Sequence, residues 1–287
     1  MTTESTVTPV PAPGALRARD RLRLDPRYLA PFLVTLILIA GNLTFGMLES
    51  PWKTGLAIVV AIGVEIMLAR LLRGVWPHLA SGYISGISVG ILVRSPFYWP
   101  YALCSALTIT SKYVVRYRGR HLFNPSNFGI VALLFLVPAA VAPLSVQWDN
   151  KLWFMLPIWL VGLAVLYRLR RLHISLTYIL SFVFFAAVRV PFTGDSFLIE
   201  VTPITGPMYQ LFTLFMVTDP ATTVRTRRGQ IVVVFLVAAL ECVIRLLHGV
   251  HAPFYALFLV GPAALLIEQW RNDREAAKAG PAAALGA

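Results

Sequence analysis

Two proline-centred polar stretches hold most of the groups in this 287-residue sequence that could bind a ligand. The first runs from Lys112 through Arg118-Gly-Arg-His-Leu-Phe-Asn-Pro-Ser-Asn-Phe128, and the second is Phe215-Met-Val-Thr-Asp-Pro-Ala-Thr-Thr223. An Asn or Asp before a proline makes a good helix start, because the side chain caps an orphan amide and the ring fits the first turn. The amides left over at such starts attract phosphate and other anions. Ordinary helix capping accounts for the same residues without a ligand.

Two acidic residues lie deep in apolar runs. A charge inside a bilayer costs about 2.5–3.5 kcal/mol on insertion scales, so Glu65 and Glu241 each call for a partner. Glu241 has Arg245 one helical turn later, and Glu65 has Arg70 five residues on, near enough to the interface to snorkel. Structural ion pairing and a place on an ion or proton pathway are both open for the two. Ser105, Thr108 and Lys112 share one helix face, which suits a cavity lining or interhelical hydrogen bonds.

Other chemistries find no residues. The five histidines lie near helix ends, whereas a bis-histidine haem needs paired ligands inside the bundle. Cys104 and Cys242 sit in apolar runs as buried thiols, too few for a disulfide scaffold or a thiolate metal site. The sequence carries no glycine-rich phosphate loop, no nucleophile–His–acid set and no metal-ligand cluster, which argues against a self-sufficient enzyme of the soluble type.

The elements that must position these groups are membrane helices. The chain is 57% hydrophobic and only 13% charged, with a mean hydropathy of +0.72, where a soluble domain is about 25% charged. Apolar runs fall at about 28–48, 52–70, 79–93, 97–114, 127–143, 152–167, 174–188, 207–218, 230–247 and 252–269, which predicts an all-α polytopic protein of about ten transmembrane helices. With alternating spans, all but five of the 25 Lys and Arg residues collect on one side. The positive-inside rule puts that side and both termini in the cytoplasm, as in a bacterial-type inner membrane. The net charge of +12 thereby follows topology and does not mark a nucleic-acid surface. Residues 1–27 read as a disordered cytoplasmic tail without a cleavable signal, 28–271 as the membrane domain, and 272–287 as a second cytoplasmic tail.

The two halves look like repeats. Ser81-Gly82 through Pro96 lies over Thr205-Gly206 through Pro220 without a gap, and Ala132-Leu-Leu-Phe-Leu-Val-Pro-Ala-Ala140 resembles Ala256-Leu-Phe-Leu-Val-Gly-Pro-Ala-Ala264. Repeat one spans about 28–143 and repeat two about 152–269, five helices each. An odd number of spans inverts the second repeat and makes the interface between repeats the expected ligand site. Gly82, Gly86 and Gly90 at four-residue spacing, and the short 207–218 run, have the look of site-lining segments.

Ser85-Gly-Ile-Ser-Val-Gly-Ile-Leu-Val-Arg-Ser-Pro96, Trp99-Pro100, Lys112, Gly119, Phe123-Asn-Pro-Ser-Asn-Phe-Gly129, Phe215 to Thr223 and Arg228-Gly229 follow one another in an order and spacing that is informative. In these elements the chain resembles the D subunit of the Rnf electron-transport complex and the B subunit of the sodium-translocating NADH:quinone reductase, over roughly 28–271. Arg120 to Gly129, Ser145-Val-Gln-Trp-Asp-Asn150 and Ile204-Thr-Gly-Pro-Met-Tyr-Gln210 are more similar still to Rnf-D-like membrane proteins found with enediyne-type biosynthetic genes. The resemblance implies ten helices in two inverted five-helix repeats and electron transfer through flavin. The family's covalent FMN sits on a threonine of an external Ser-Gly-Ala-Thr motif in a long loop. Here the corresponding connection is only about residues 144–151 and the motif is absent, so covalent FMN is not expected.

What the resemblance leaves is a noncovalent flavin (FMN or riboflavin) or quinone-type ligand at Lys112, Arg120, Asn124, Ser126, Asn127, Thr218, Asp219, Thr222 and Thr223. Backbone amides after Pro125 and Pro220, with Lys112 and Arg120, would receive a flavin phosphate. The expected function is a membrane electron-transport subunit working with redox or biosynthetic partner proteins in the lipid bilayer. A transporter or channel for a small metabolite or ion, tied to natural-product biosynthesis, is the alternative, and a membrane anchor for biosynthetic enzymes is a third reading.

Overall fold

The computed structural model describes residues 31, 32, 34–36, 38, 39, 42, 43, 48–143 and 156–279. The expected tail 1–27, much of the first expected span, the 144–151 connection and residues 280–287 lie outside the described residues. The chain folds into α1 (Pro51–Arg73), α2 (Leu79–Leu92), α3 (Trp99–Val114), α4 (Pro125–Leu136), α5 (Leu156–Arg168) and α6 (Leu172–Thr193). Next come the short α7 (Phe197–Val201), a 3₁₀ turn (Thr202–Thr205), α8 (Pro207–Leu211) running into a π-helical turn (Phe212–Met216), α9 (Arg227–Leu246) and α10 (Ala252–Ala279). The tail expected from residue 272 therefore starts inside α10, because Asn272 to Ala279 continues as helix.

Four helices, α1, α6, α9 and α10 over Ala252–Glu275, are long and apolar enough to cross a membrane. Their outward faces carry Val59, Met67, Leu180, Phe184, Leu236 and Leu259, all exposed, an arrangement that is costly in water and suits lipid. The described strands are two-residue pairs: Val93–Arg94 against Ala142–Pro143, and Arg116–Tyr117 against Arg120–His121. The second is a tight hairpin whose corner, Arg118 and Gly119, has φ of 49° and 78°.

In the first half α1 packs on α2 and α3, and α3 packs on α4; in the second half α6 packs on α9, and α9 on α10. Contacts between α4 and α10 join the halves. Equivalent local turns recur at the two Xaa-Pro ends matched in the sequence. Phe97 N donates to Ser95 Oγ at 3.2 Å, and Ala221 N donates to Asp219 Oδ1 at 3.0 Å.

The glycine stripe of α2 is a packing surface. A Cβ on Gly82 would fall 2.4 Å from Glu65 Oε2, one on Gly86 2.5 Å from Ile58 Cα, and one on Gly90 2.6 Å from Thr54 Cγ2. Small residues at this spacing let two helix backbones approach closely. The stripe thus seals α2 against α1, where the spacing alone suggested a site lining. At Gly86 the obstacle is backbone that no rotamer change relieves, so Gly86→Ala is expected to cost about 1–3 kcal/mol as overpacking. Thermal unfolding in detergent reads the loss, and an unchanged midpoint would mean the helices separate freely.

One polar cluster fixes the start of α1 and another the end of α6. Glu49 accepts from Lys53 Nζ at 2.5 Å, Tyr101 Oη at 3.0 Å and Ser95 N at 3.3 Å, while Lys53 also donates to the Ser95 carbonyl at 2.6 Å. Partial burial works against ionisation, yet the hydrogen bonds from Lys53 and Tyr101 hold the Glu49 carboxyl below its ordinary range. In the second half the fully buried Arg189 pairs with Glu200 at 2.6 Å across the Gly194 corner, and Thr193 Oγ1 donates to the same carboxylate at 2.9 Å.

Candidate functional site

The two proline-centred stretches meet. Asn124 caps α4 by accepting from Asn127 N at 3.0 Å, and this turns its amide outward, where Nδ2 donates to Asp219 Oδ2 at 3.2 Å. The partner is presented by the π-helical turn, whose wide ring ends with Val217 N donating to Phe212 O at 3.0 Å. A π turn leaves carbonyls without their usual amides. Here side chains fill in: Ser175 Oγ donates to Thr213 O at 2.8 Å, Thr218 Oγ1 to Leu214 O at 2.7 Å, and Asn124 Nδ2 reaches Met216 O at 3.5 Å.

Asp219 organises the loop from Pro220 to Thr223. Its Oδ2 also accepts the Thr222 hydroxyl at 3.0 Å, its Oδ1 accepts Ala221 N, and its carbonyl accepts the Thr223 hydroxyl. Arg120 donates to the Thr223 carbonyl at 2.8 Å and pairs with Glu268 at 3.1 Å, which ties the hairpin to α10. Arg171, at the start of α6, reaches the Thr218 carbonyl at 3.4 Å. Thr218 and Thr223 are buried, and Ser126 stands half-buried on the first turn of α4.

Lys112 lies in a second cluster beside this seam. Its ammonium donates to Ser81 Oγ at 2.7 Å and to Glu65 Oε1 at 3.2 Å, with both members of the ion pair buried. The partner of Glu65 is therefore Lys112 on α3 and not Arg70, whose guanidinium instead stacks over Trp76. Five residues along a helix is about 140° around it, so Arg70 could not share the face of Glu65. Burial and the nearby Arg116 and Lys112 charges keep His121 below its ordinary range, with Asp219 offsetting part of this.

Glu241 forms a separate centre between α6 and α9. It is fully buried and accepts Tyr178 Oη at 2.6 Å, Tyr209 Oη at 2.5 Å and Arg245 Nε at 3.2 Å. The expected Arg245 partner is present, and the two tyrosines are what sequence reasoning missed. Arg189–Glu200 was missed as well, its one signal being an arginine near the end of an apolar run.

The donors and acceptors of the seam differ in what they leave free. The expected phosphate donors are engaged: the Asn127 amide by Asn124, the Ala221 amide by Asp219, and Arg120 by Glu268 and Thr223. In contrast, two fully enclosed acceptors, Asn127 Oδ1 and Glu65 Oε2, have no donor among the described residues. A buried polar atom without a partner is the exception that calls for a ligand, water or proton. No group of His, Cys, Asp and Glu that could hold a metal ion occurs among the described residues. Compared with models of known protein families and with characterised proteins, the chain matches none.

Proposed function

We propose that the protein is an integral membrane electron-transport subunit of the Rnf-D and NADH:quinone reductase B kind, carrying a noncovalent flavin or quinone-type ligand and no covalent FMN. The observation that carries this reading is the 3.2 Å contact between Asn124 and Asp219, which joins at one point the two motifs on which the resemblance rests. Ten spans in two inverted five-helix repeats form the scaffold of the proposal. The parallel packing of α1–α3–α4 and α6–α9–α10 supports it, as do the matching turns at Ser95 and Asp219. The distribution of basic residues supports a reading with both termini on the cytoplasmic side of an inner membrane, and redox or biosynthetic proteins are the proposed partners.

In this reading Asn127 and Glu65 take the ligand's donors, Lys112 anchors the Glu65 carboxyl through its other oxygen, and the Asp219 loop shapes the wall. Protein purified in detergent is expected to show flavin absorption, with about one flavin per chain released into the supernatant by acid. Asp219→Ala removes the acceptor of Asn124 and Thr222 and should reduce that yield to background. A folded Asp219→Ala protein with undiminished flavin defeats the site assignment, and fluorescence retained in the acid pellet defeats the noncovalent one.

The second reading, a transporter or channel for a small metabolite or ion, is favoured by a different observation. Glu65 offers one unpartnered buried oxygen next to the Lys112 ammonium, an arrangement able to exchange a proton or a cation. A colourless protein that has lost no cofactor during purification selects this reading.

A further inference from the structure

A long groove on the outside of the second half is built for an amphiphile. It runs between α9 and α10 with a volume of about 1160 Å³. Its floor and walls are apolar: Val232, Leu236 and Val243 project from one helix and Leu259, Ala263 and Ile267 from the other, at the three- and four-residue spacing of a single face. Five of these six are large side chains left exposed. From Arg228 to Val243 the trough extends about 22 Å along the helix axis at about 1.5 Å per residue. One leaflet of hydrocarbon is about 15 Å deep, so an acyl chain entering from the polar end is covered along its whole length.

The polar end is cationic. Arg227, Arg228 and Arg271 line the mouth, and none of the three hydrogen-bonds or pairs with an acceptor among the described residues. Two acids share that mouth. Glu268 is already taken by Arg120 and by Arg225 N at 2.6 Å, which leaves Glu275 as the one opposing charge. Three unpaired guanidiniums above a dry trough match a phosphate headgroup above hydrocarbon, since the planar fork of Arg binds phosphate in bidentate fashion.

We infer that the α9–α10 groove is a binding site for an anionic phospholipid, with its phosphate held by Arg227, Arg228 and Arg271 and one acyl chain lying along the trough. The inference does not rest on the flavin site, which touches the groove only at its mouth, where Arg120 pairs with Glu268. It needs only that α9 and α10 cross the bilayer.

Native mass spectrometry of the full-length protein in detergent, with phosphatidylglycerol or phosphatidylcholine added at equal concentration, tests it. The wild type should retain phosphatidylglycerol in preference, by roughly fivefold for each arginine near the headgroup. The triple variant Arg227→Gln, Arg228→Gln, Arg271→Gln should lose the preference, and because all three residues are exposed, its thermal unfolding should match the wild type. Ala263→Trp, which fills the trough, should lower retention of both lipids. Equal retention by the wild type, or a preference that survives the triple substitution, overturns the site. A dimer that Ala263→Trp dissociates overturns it too, because a second copy of the chain would then occupy the groove.

Discussion

Glu241→Leu is expected to be among the most damaging single substitutions in the chain, lowering stability by about 3–5 kcal/mol, the cost of removing one partner from a buried ion pair. The carboxylate is the common acceptor of Tyr178, Tyr209 and Arg245. Its loss leaves the buried Tyr178 hydroxyl without its acceptor and the partly buried Arg245 guanidinium, which still reaches the Tyr209 hydroxyl, without its counter-charge, beside Phe182 and Phe212. Thermal unfolding in detergent, followed by tryptophan fluorescence, measures the effect. Glu241→Gln should fall between wild type and Leu, because the amide oxygen still accepts a hydroxyl but no longer neutralises Arg245. Equal midpoints for Leu and wild type would mean that water enters the cluster and that it contributes nothing to stability.

Lys112→Met is expected to cost a similar amount, about 3–5 kcal/mol, for the converse reason. It leaves the Glu65 carboxylate buried with no counter-charge, its second oxygen already without a donor. The double variant Lys112→Met, Glu65→Gln removes both charges and should recover most of the loss, since a paired set removed together is often close to neutral. Additive losses in this cycle would sink the ion pair. If the flavin reading holds, the single variant should also lose ligand, whereas in the transport reading it should lose flux with no change in colour.

How much of this was legible in the sequence depends on the reach of each interaction. Glu241 and Arg245 stand one turn apart and can be paired by counting. Glu65 and Lys112 lie on different helices, and counting along α1 leads to Arg70, on the wrong face. The glycine stripe was visible as a period, but only coordinates tell whether it borders a cavity or a backbone, and the distances from Gly86 to Ile58 decide for backbone. The capping role of Asn124 could be read from Asn-Pro. That its other amide group spans to Asp219 could not, because the π turn that aims Asp219 leaves no compositional trace in Phe212-Thr-Leu-Phe-Met216. The extension of α10 beyond the apolar run was likewise hidden, as hydropathy ends at the interface while Glu, Ala and Lys continue a helix readily.

The contact between α1 and α2 carries a mechanical consequence. With Gly86 seated against the Ile58 backbone, and Gly82 and Gly90 against the Glu65 and Thr54 side chains one turn to either side, the two helices pack with little slack and act as a double strut. One end of the strut holds Glu65 and Ser81 against Lys112; the other, about 20 Å away at about 1.5 Å per residue, is clamped where Lys53 grips the Ser95 carbonyl and Glu49. A push on the Lys112 end is thereby delivered to the Glu49 end without being absorbed between them, so two polar clusters on opposite faces of the protein share one lever.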